Sequence, residues 1–500
     1  MIQGTGSHVG KSIITAALCR IFYEDGIQVC PFKAQNMSLN SFVTKDGGEM
    51  GRAQVVQAEA AKIDPSVDMN PILLKPEGEN RSQVIVLGKP TSKMDAERYY
   101  NYKGNLLEVV KEVYFRLKSK YELIVIEGAG SPVEVNIKDK DIVNMKMAEI
   151  ADAPVLIVAD IDKGGVFAQI IGTMELLTEK ERERVNGFII NKFRGDINIL
   201  KPGLDFINKR TKRKVLGVIP YFTHILIDEE DSVGLKTSMN SLSNQSKIDI
   251  AVIKLPHISN FTDFDPLKRE DDVSLRYITR HEDLGIPDLI IIPGSKSTIY
   301  DLLYLKKVGL FSAIKRLAEQ EVMIIGICGG FQMLGKEIKD PLHVESKKME
   351  EKGFGLLNVI STFEPIKDTN QVKARAIIKE SYLKDEIVSG YEIHMGRTNL
   401  LEGTLPIFKI FERSGKKMEL EEGAISEDGR VWGTYIHGIF DNNSLRRRLI
   451  NYLREKKGLN PINTDISSSI TDYKDGEYSK LAKLVRDNLD MKKIYSIIGI

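Results

Sequence analysis

Two short stretches of this chain have the residue types and spacing to do chemistry. Residues 4–12 read Gly-Thr-Gly-Ser-His-Val-Gly-Lys-Ser after a short apolar start. Gly4, Gly6 and Gly10 let the backbone curl so that successive N–H groups face a polyphosphate. A helix that opens at the same point adds its partial positive charge. Lys11 would then reach the β and γ phosphates of ATP, and Ser12 would ligate Mg²⁺. Residues 326–330 read Gly-Ile-Cys-Gly-Gly, between an apolar run and the helix-like Phe331-Gln332-Met333-Leu334. A strand, a sharp turn and a helix put Cys328 on an exposed elbow where neighbouring side chains would clash, hence the glycines. A cysteine so placed is a nucleophile, activated by the helix start and a nearby base. The backbone N–H of Gly329 points where an oxyanion would develop, and the loop Pro293-Gly294-Ser295 could supply a second donor from Gly294.

Each stretch needs partners. Among the 7 histidines, His437 follows a strand and precedes a turn, in Gly433-Thr434-Tyr435-Ile436-His437-Gly438. A Cys…His pair assembled in space fits that placement. His394, in Gly390-Tyr391-Glu392-Ile393-His394, is the alternative, and His8 belongs to the phosphate loop. The run Leu123 to Ile126 ends in Glu127-Gly128-Ala129-Gly130. That puts Glu127 at the carboxyl end of a parallel strand, where a nucleotide's Mg²⁺ would sit. Asp160 to Gly165 and Asn191-Lys192 also follow strand-like runs. They would line the same crevice, with Asn191 available to the nucleotide base.

The elements that must position these groups alternate between strand and helix. Leu123–Ile126, Val155–Ala159, Gly187–Ile190 and Val215–Ile219 read as buried parallel strands. Ile13, Ile14, Ala17, Leu18, Ile21 and Phe22 recur at helical spacing, and Gly26 stands where a C-terminal cap belongs. Only three residues precede the loop, fewer than a strand usually has, which leaves room for a start upstream of Met1. Residues 225–247 hold Asp228-Glu229-Glu230-Asp231 and a polar run, and read as a surface linker. Strand-like runs restart at Ile248–Leu255, Leu289–Ile292 and Val322–Ile327. Pro406–Glu412 and the turn at Glu427–Arg430 read as antiparallel strands and a hairpin. The expected fold is α/β, with two doubly wound domains. Residues 1–224 form the P-loop domain and 248–455 the domain of Cys328. Residues 456–500 form a polar, then amphipathic, partly helical tail.

Composition closes off other classes. The chain has 500 residues, 71 basic and 70 acidic, for a net charge of +1. There is no global basic field for nucleic acid or an anionic membrane. Three cysteines, Cys19, Cys30 and Cys328, give neither a disulfide framework nor a zinc spacing, and Cys19 and Cys30 read as core. No apolar run reaches the ~18 residues of a membrane span, and no signal peptide opens the chain. A cytoplasmic enzyme is the expectation, and its oligomeric state is open.

Longer strings resemble one family, the cobyric acid synthases, glutamine-dependent amidases of cobalamin synthesis. In the first half these are Pro31 to Ser41, Asp46 to Gln54, Asn70 to Pro76, Glu127 to Pro132 and Asn191 to Asp196. In the second half they are the elbow, Gly390 to His394 and His437 to Phe440. The five residues between Gly4 and Gly10, one more than usual, resemble the dethiobiotin synthetase group of P-loop enzymes, which phosphorylate carboxylates or carbamates. The resemblance implies a dethiobiotin synthetase-like P-loop domain and a class I glutamine amidotransferase-like domain. It implies that Cys328 attacks glutamine while His437 moves protons. It also implies that ATP and Mg²⁺ activate a carboxylate of adenosylcobyrinic acid a,c-diamide as an acyl phosphate. Ammonia then makes the amide, at the b, d, e and g carboxylates. Lys33 and Glu49 match family positions facing phosphate, metal or substrate, with Glu49 a metal ligand beside Ser12 and Glu127. Ordinary class I enzymes carry a Glu two residues after the His, but Ile439 stands there; Glu392 or Asp441 could replace it. The alternatives are cobyrinic acid a,c-diamide synthase, whose segment differs from Lys33–Ser41, and a non-catalytic P-loop regulator. Release of glutamate from glutamine would separate the last from an enzyme.

Overall fold

The computed structural model describes residues 1–77, 81–228, 246–378, 381–463 and 470–500. Of the linker expected at 225–247, residues 229–245 lie outside the described residues.

The first half is built on parallel strands, as its Val- and Ile-rich runs require. Ile2–Gly4, Val155–Asp160, Val185–Phe193 and Lys214–Pro220 form one sheet in that order. Val29–Phe32 pairs with Leu123–Ile126, and a bridge from Ile2 to Glu127 joins the two sets. The helix Lys11–Glu24 packs across this sheet, and Gly26, at φ 83°, donates back to Tyr23 O to end it. A second sheet, Gln35–Met37, Ile72–Glu77, Arg81–Val86 and Lys89–Asp95, stands beside the first. The hairpin Ser41–Val43 with Glu49–Gly51 leads into the helix Arg52–Ala60.

The second half has a sheet ordered Val273–Ile278, Ile248–Ile253, Leu289–Ile292, Met323–Ile327, Val431–Thr434 and Ala424–Ile425, parallel except for the last strand. A separate, largely antiparallel sheet is built on two long strands, Val359–Ala376 and Ile387–Leu400. The sequence pattern does not announce these strands, because their alternation is interrupted by polar residues that face the first half. The strand Phe408–Arg413 and the hairpin Ile425/Trp432 fall where expected.

The tail does not stay with the second half. The helices Ile470–Asn488 and Met491–Ile498 return to the P-loop domain. There Tyr478, Leu481, Ala482, Val485 and Ile494 share a core with Ile14, Leu18 and Ile21. Asp228, expected in the exposed linker, is buried instead. Arg52, Arg269 and Lys474 all reach it, one from each half and one from the tail. These cations hold its carboxyl well below the usual range against the cost of burial. Three opposite charges make that burial tolerable where a lone carboxylate would not be. Among the described residues no helix is long and apolar enough to cross a membrane.

Candidate active sites

Cys328 sits at the end of Met323–Ile327 and starts the short helix Gly329–Leu334. Its backbone is held at φ 52°, ψ −109°, an unfavourable conformation for a residue with a Cβ. The turn closes only because its neighbours are bare. A Cβ on Gly330 would collide with the Ile292 carbonyl, and one on Gly326 would lie 2.7 Å from the Gly330 backbone. The Cys328 N–H donates to Thr434 O at 2.8 Å, tying the elbow to the strand that leads to His437. Gly294 and Gly329 both lie close to this elbow. A Cβ on Gly329 would stand 2.9 Å from Ser295 N, and one on Gly294 would stand 3.2 Å from His437 Cε1.

His437 is fixed where the chain leaves one sheet for the other. The buried Glu422 accepts from Thr434 Oγ1 at 2.7 Å and from Tyr435 N at 2.5 Å, which sets the turn. Ile436–His437 then pairs with Tyr391 and Glu392, and the Tyr391 ring stacks on the imidazole. The third member of the site is Asp263, on the one-turn helix Phe261–Phe264. Its Oδ2 lies 2.6 Å from His437 Nδ1, and its Oδ1 accepts from Gly438 N. Burial alone would lower the imidazole's pKa. The Asp263 carboxylate and a hydrogen bond to the Cys328 thiol raise it instead, to about 10. His437 therefore stands as a protonated imidazole beside Cys328, placed to pass a proton to a leaving group.

Neither carboxylate proposed from the sequence fills that role. Glu392 is engaged by Arg413 at 2.6 Å, and Asp441 closes the turn at Gly438 through its own N–H. His394 is not the base either. Its Nδ1 hydrogen-bonds Gly396 O, its ring stacks on Tyr435 at 3.8 Å, and burial lowers its pKa to about 4. A base that weak holds no proton near neutral pH.

At the other site the loop 4–12 runs from Ile2–Gly4 into the helix Lys11–Glu24. Gly10 has φ +104°, and a Cβ there would run into the Asn191 amide. Asn191 is 4% exposed and donates to Val9 O at 2.9 Å. It braces the loop from below. Lys192 spans His8 O and Asp160 Oδ2. Lys11 curls over the loop, donating to Gly6 O at 2.8 Å and Gly130 O at 2.9 Å. Ser12 Oγ donates to Glu127 Oε1 at 2.8 Å, and Lys33 Nζ reaches the same oxygen at 2.9 Å. Gln57 donates to Glu127 Oε2 at 2.5 Å. Gln57 was not singled out from the sequence; it lies three residues beyond the Asp46–Gln54 string, on the helix that Arg52 opens.

Glu49 does not join this group. Its Oε1 takes Lys75 at 2.8 Å and its Oε2 takes Lys367 at 2.5 Å, so neither oxygen is turned to Ser12 or Glu127. Two lysines supply its positive charge here. Cys19 and Cys30 are fully buried, as read.

A P-loop nucleotide-binding domain joined to a domain with an elbow cysteine, histidine and aspartate is the layout of a glutamine-dependent ligase. Residues 1–233 match the CobQ/CobB/MinD/ParA nucleotide binding domain, and residues 249–445 match the CobB/CobQ-like glutamine amidotransferase domain. The chain is 52% identical over 501 residues to cobyric acid synthase of Clostridium kluyveri, covering 100% of this chain and 98% of that protein. It is 53% identical over 499 residues to that of Clostridium tetani, with coverage of 100% and 98%. It is 54% identical over 499 residues to that of Clostridium botulinum strain 657, with coverage of 100% and 99%. The chain belongs to the cobyric acid synthase family.

Proposed function

We propose that the chain amidates the b, d, e and g carboxylates of adenosylcobyrinic acid a,c-diamide, using ATP and ammonia from glutamine. The observation that carries this reading is the Cys328–His437–Asp263 site standing in one chain with the loop 4–12 and Glu127. Cys328 attacks the glutamine side-chain amide while His437 passes a proton to the departing nitrogen. Ammonia and a thioester result, and water cleaves the thioester to glutamate. Gly329 and the Gly294 loop face the oxyanion. In the P-loop domain a substrate carboxylate takes the γ-phosphoryl of ATP, releasing ADP. Ammonia displaces phosphate from the acyl phosphate and leaves the amide. Lys11 lies within the loop to balance charge on the moving phosphoryl, and Lys33 sits beside Glu127.

Ser12 and Glu127 fit Mg²⁺: a hydroxyl and a carboxylate oxygen 2.8 Å apart are the hard donors it takes, with phosphate completing the set. They would hold the ion, and when bound it would neutralise phosphate charge. Support for the larger substrate comes from the full-length likeness to cobyric acid synthases. The test is to incubate the protein with the a,c-diamide, glutamine and Mg-ATP and follow product mass. Four successive replacements of a carboxyl by an amide are expected. Product unchanged in mass, or amidated only in the presence of other carboxylates, refutes the assignment.

A further inference from the structure

Beside Cys328 lies a cavity of about 50 Å³. It has room for a few water-sized molecules. One wall is Cys328, Gln332 and His394; Lys75 and Lys367 also line it. Lys75 belongs to the P-loop half and Lys367 to the amidotransferase half. Glu49 joins them, with Lys75 on one oxygen and Lys367 on the other. The side chains of all three are buried, at 0% exposure for Glu49, 4% for Lys75 and 5% for Lys367. Ser41 Oγ accepts from Lys75 and Gln83 Oε1 from Lys367. Three desolvated charges are an expensive way to join two domains, since apolar contacts would do so without the penalty.

We propose that the Lys75–Glu49–Lys367 bridge is the throat through which ammonia made at Cys328 passes to the P-loop domain, excluding bulk water and holding no ammonium ion. This rests on the reading of the chain as a glutamine-driven amide ligase. Ammonia attacks an acyl phosphate only while its lone pair is free, so the path must not protonate it. A bare carboxylate would trap an ammonium ion, but both oxygens of Glu49 are taken by lysines. Two lysine side chains also make the position unfavourable for a third cation. Burial draws Lys367 down to about 7 against the pull of Glu49. The other acid on the wall, Glu345, is turned into the first turn of the helix Thr298–Lys307, where Ile299 N donates to it. Lys296 is paired with Glu77 across the boundary at 2.7 Å. His394 completes the lining. Its Nε2 is buried with no hydrogen-bond partner among the described residues, and the ring is neutral at pH 7. It offers an acceptor for an N–H and no proton to give.

The variant to make is Lys367→Met. It leaves Glu49 paired with Lys75, so no buried charge is stranded. The full-length protein is given the a,c-diamide, Mg-ATP and unlabelled glutamine, with ¹⁵N-ammonium chloride in the buffer at pH 7. Product isotope content and the ratio of glutamate to amide are read together. The parent should incorporate mainly unlabelled nitrogen at a ratio near unity. Lys367→Met should raise both the ¹⁵N fraction and the ratio about threefold or more, while amidation driven by saturating ammonia stays within about twofold. Lys367→Arg, which keeps the ion pair, should return both readouts toward the parent. An unchanged ratio and isotope content in Lys367→Met overturns the proposal, because the bridge is then only structural. Loss of ammonia-driven amidation in step with the glutamine-driven rate also overturns it, by placing Lys367 in the synthetase site. A parent that makes no amide from either nitrogen source refutes the ligase reading itself, and the proposal with it.

Discussion

Asp263→Asn isolates what the carboxylate does for His437. The substitution keeps size and removes charge from a group 2.6 Å from Nδ1. Charge centres about 4 Å apart interact by about 4 kcal/mol at an effective dielectric of about 20. That energy corresponds to about 3 pKa units, so the imidazole should fall from about 10 toward neutrality. The asparagine amide can also present an N–H to Nδ1, favouring the wrong tautomer. Losing one such preorganised group should slow glutamine hydrolysis by about 10²–10³. Two assays check this. Steady-state glutamate release gives the rate, and the pH profile of Cys328 alkylation by iodoacetamide reports how His437 acts on the thiol. Amidation with saturating ammonia should stay within about twofold of the parent, because ammonia bypasses the thioester. Glutaminase activity within about tenfold of the parent would refute the reasoning and return the orienting role to another carboxylate.

Three further outcomes are expected. His394→Ala should keep measurable glutaminase activity in a glutamate-release assay while His437→Ala loses it, because only His437 bonds both Asp263 and Cys328. Leu481→Ala empties a site of 0% exposure against the first helix; it should lower stability by about 2–5 kcal/mol, read from the urea midpoint. The folded pKa of His437 is raised from 6.5 to about 10. Its protonation therefore adds stability that is complete below 6.5 and is lost as pH rises through about 10. The gap in urea midpoint between the parent and Asp263→Asn should accordingly be widest near pH 6.5 and narrow toward pH 10.

The two reactive centres were legible because each is written in consecutive residues. A tight phosphate loop and a strained elbow both constrain neighbouring positions, so Gly10, Lys11, Ser12 and Cys328 stand out. Glu127 and His437 were legible from strand ends. Asp263 was not, because it reaches His437 from 174 residues away, on a turn after a strand of the Cys328 sheet. The one local signal was Asn260, Thr262 and Asp263 a few residues after the buried run ending at Leu255, a carboxylate where a core turn was due. The pairing of Glu49 was hidden for the same reason: its partner Lys367 lies 318 residues on, in the other half. The tail's amphipathic spacing predicted helices but not their partner, since an apolar stripe does not say which core it will join. Asp228 looked like linker because four acids in a row usually face water, and only Arg52, Arg269 and Lys474 together make its burial possible.

The central claim is that one chain makes ammonia at Cys328 and spends ATP at the loop holding Lys11. The most direct measurement is amide formation by Cys328→Ala and Lys11→Ala, each supplied first with glutamine and then with saturating ammonia, with glutamate release followed alongside. Cys328→Ala should amidate with ammonia and fail with glutamine. Lys11→Ala should lose about 10²–10³ in amidation with either source and still release glutamate. Loss of both activities in folded Cys328→Ala, or amidation by Lys11→Ala within about tenfold of the parent, would contradict the account.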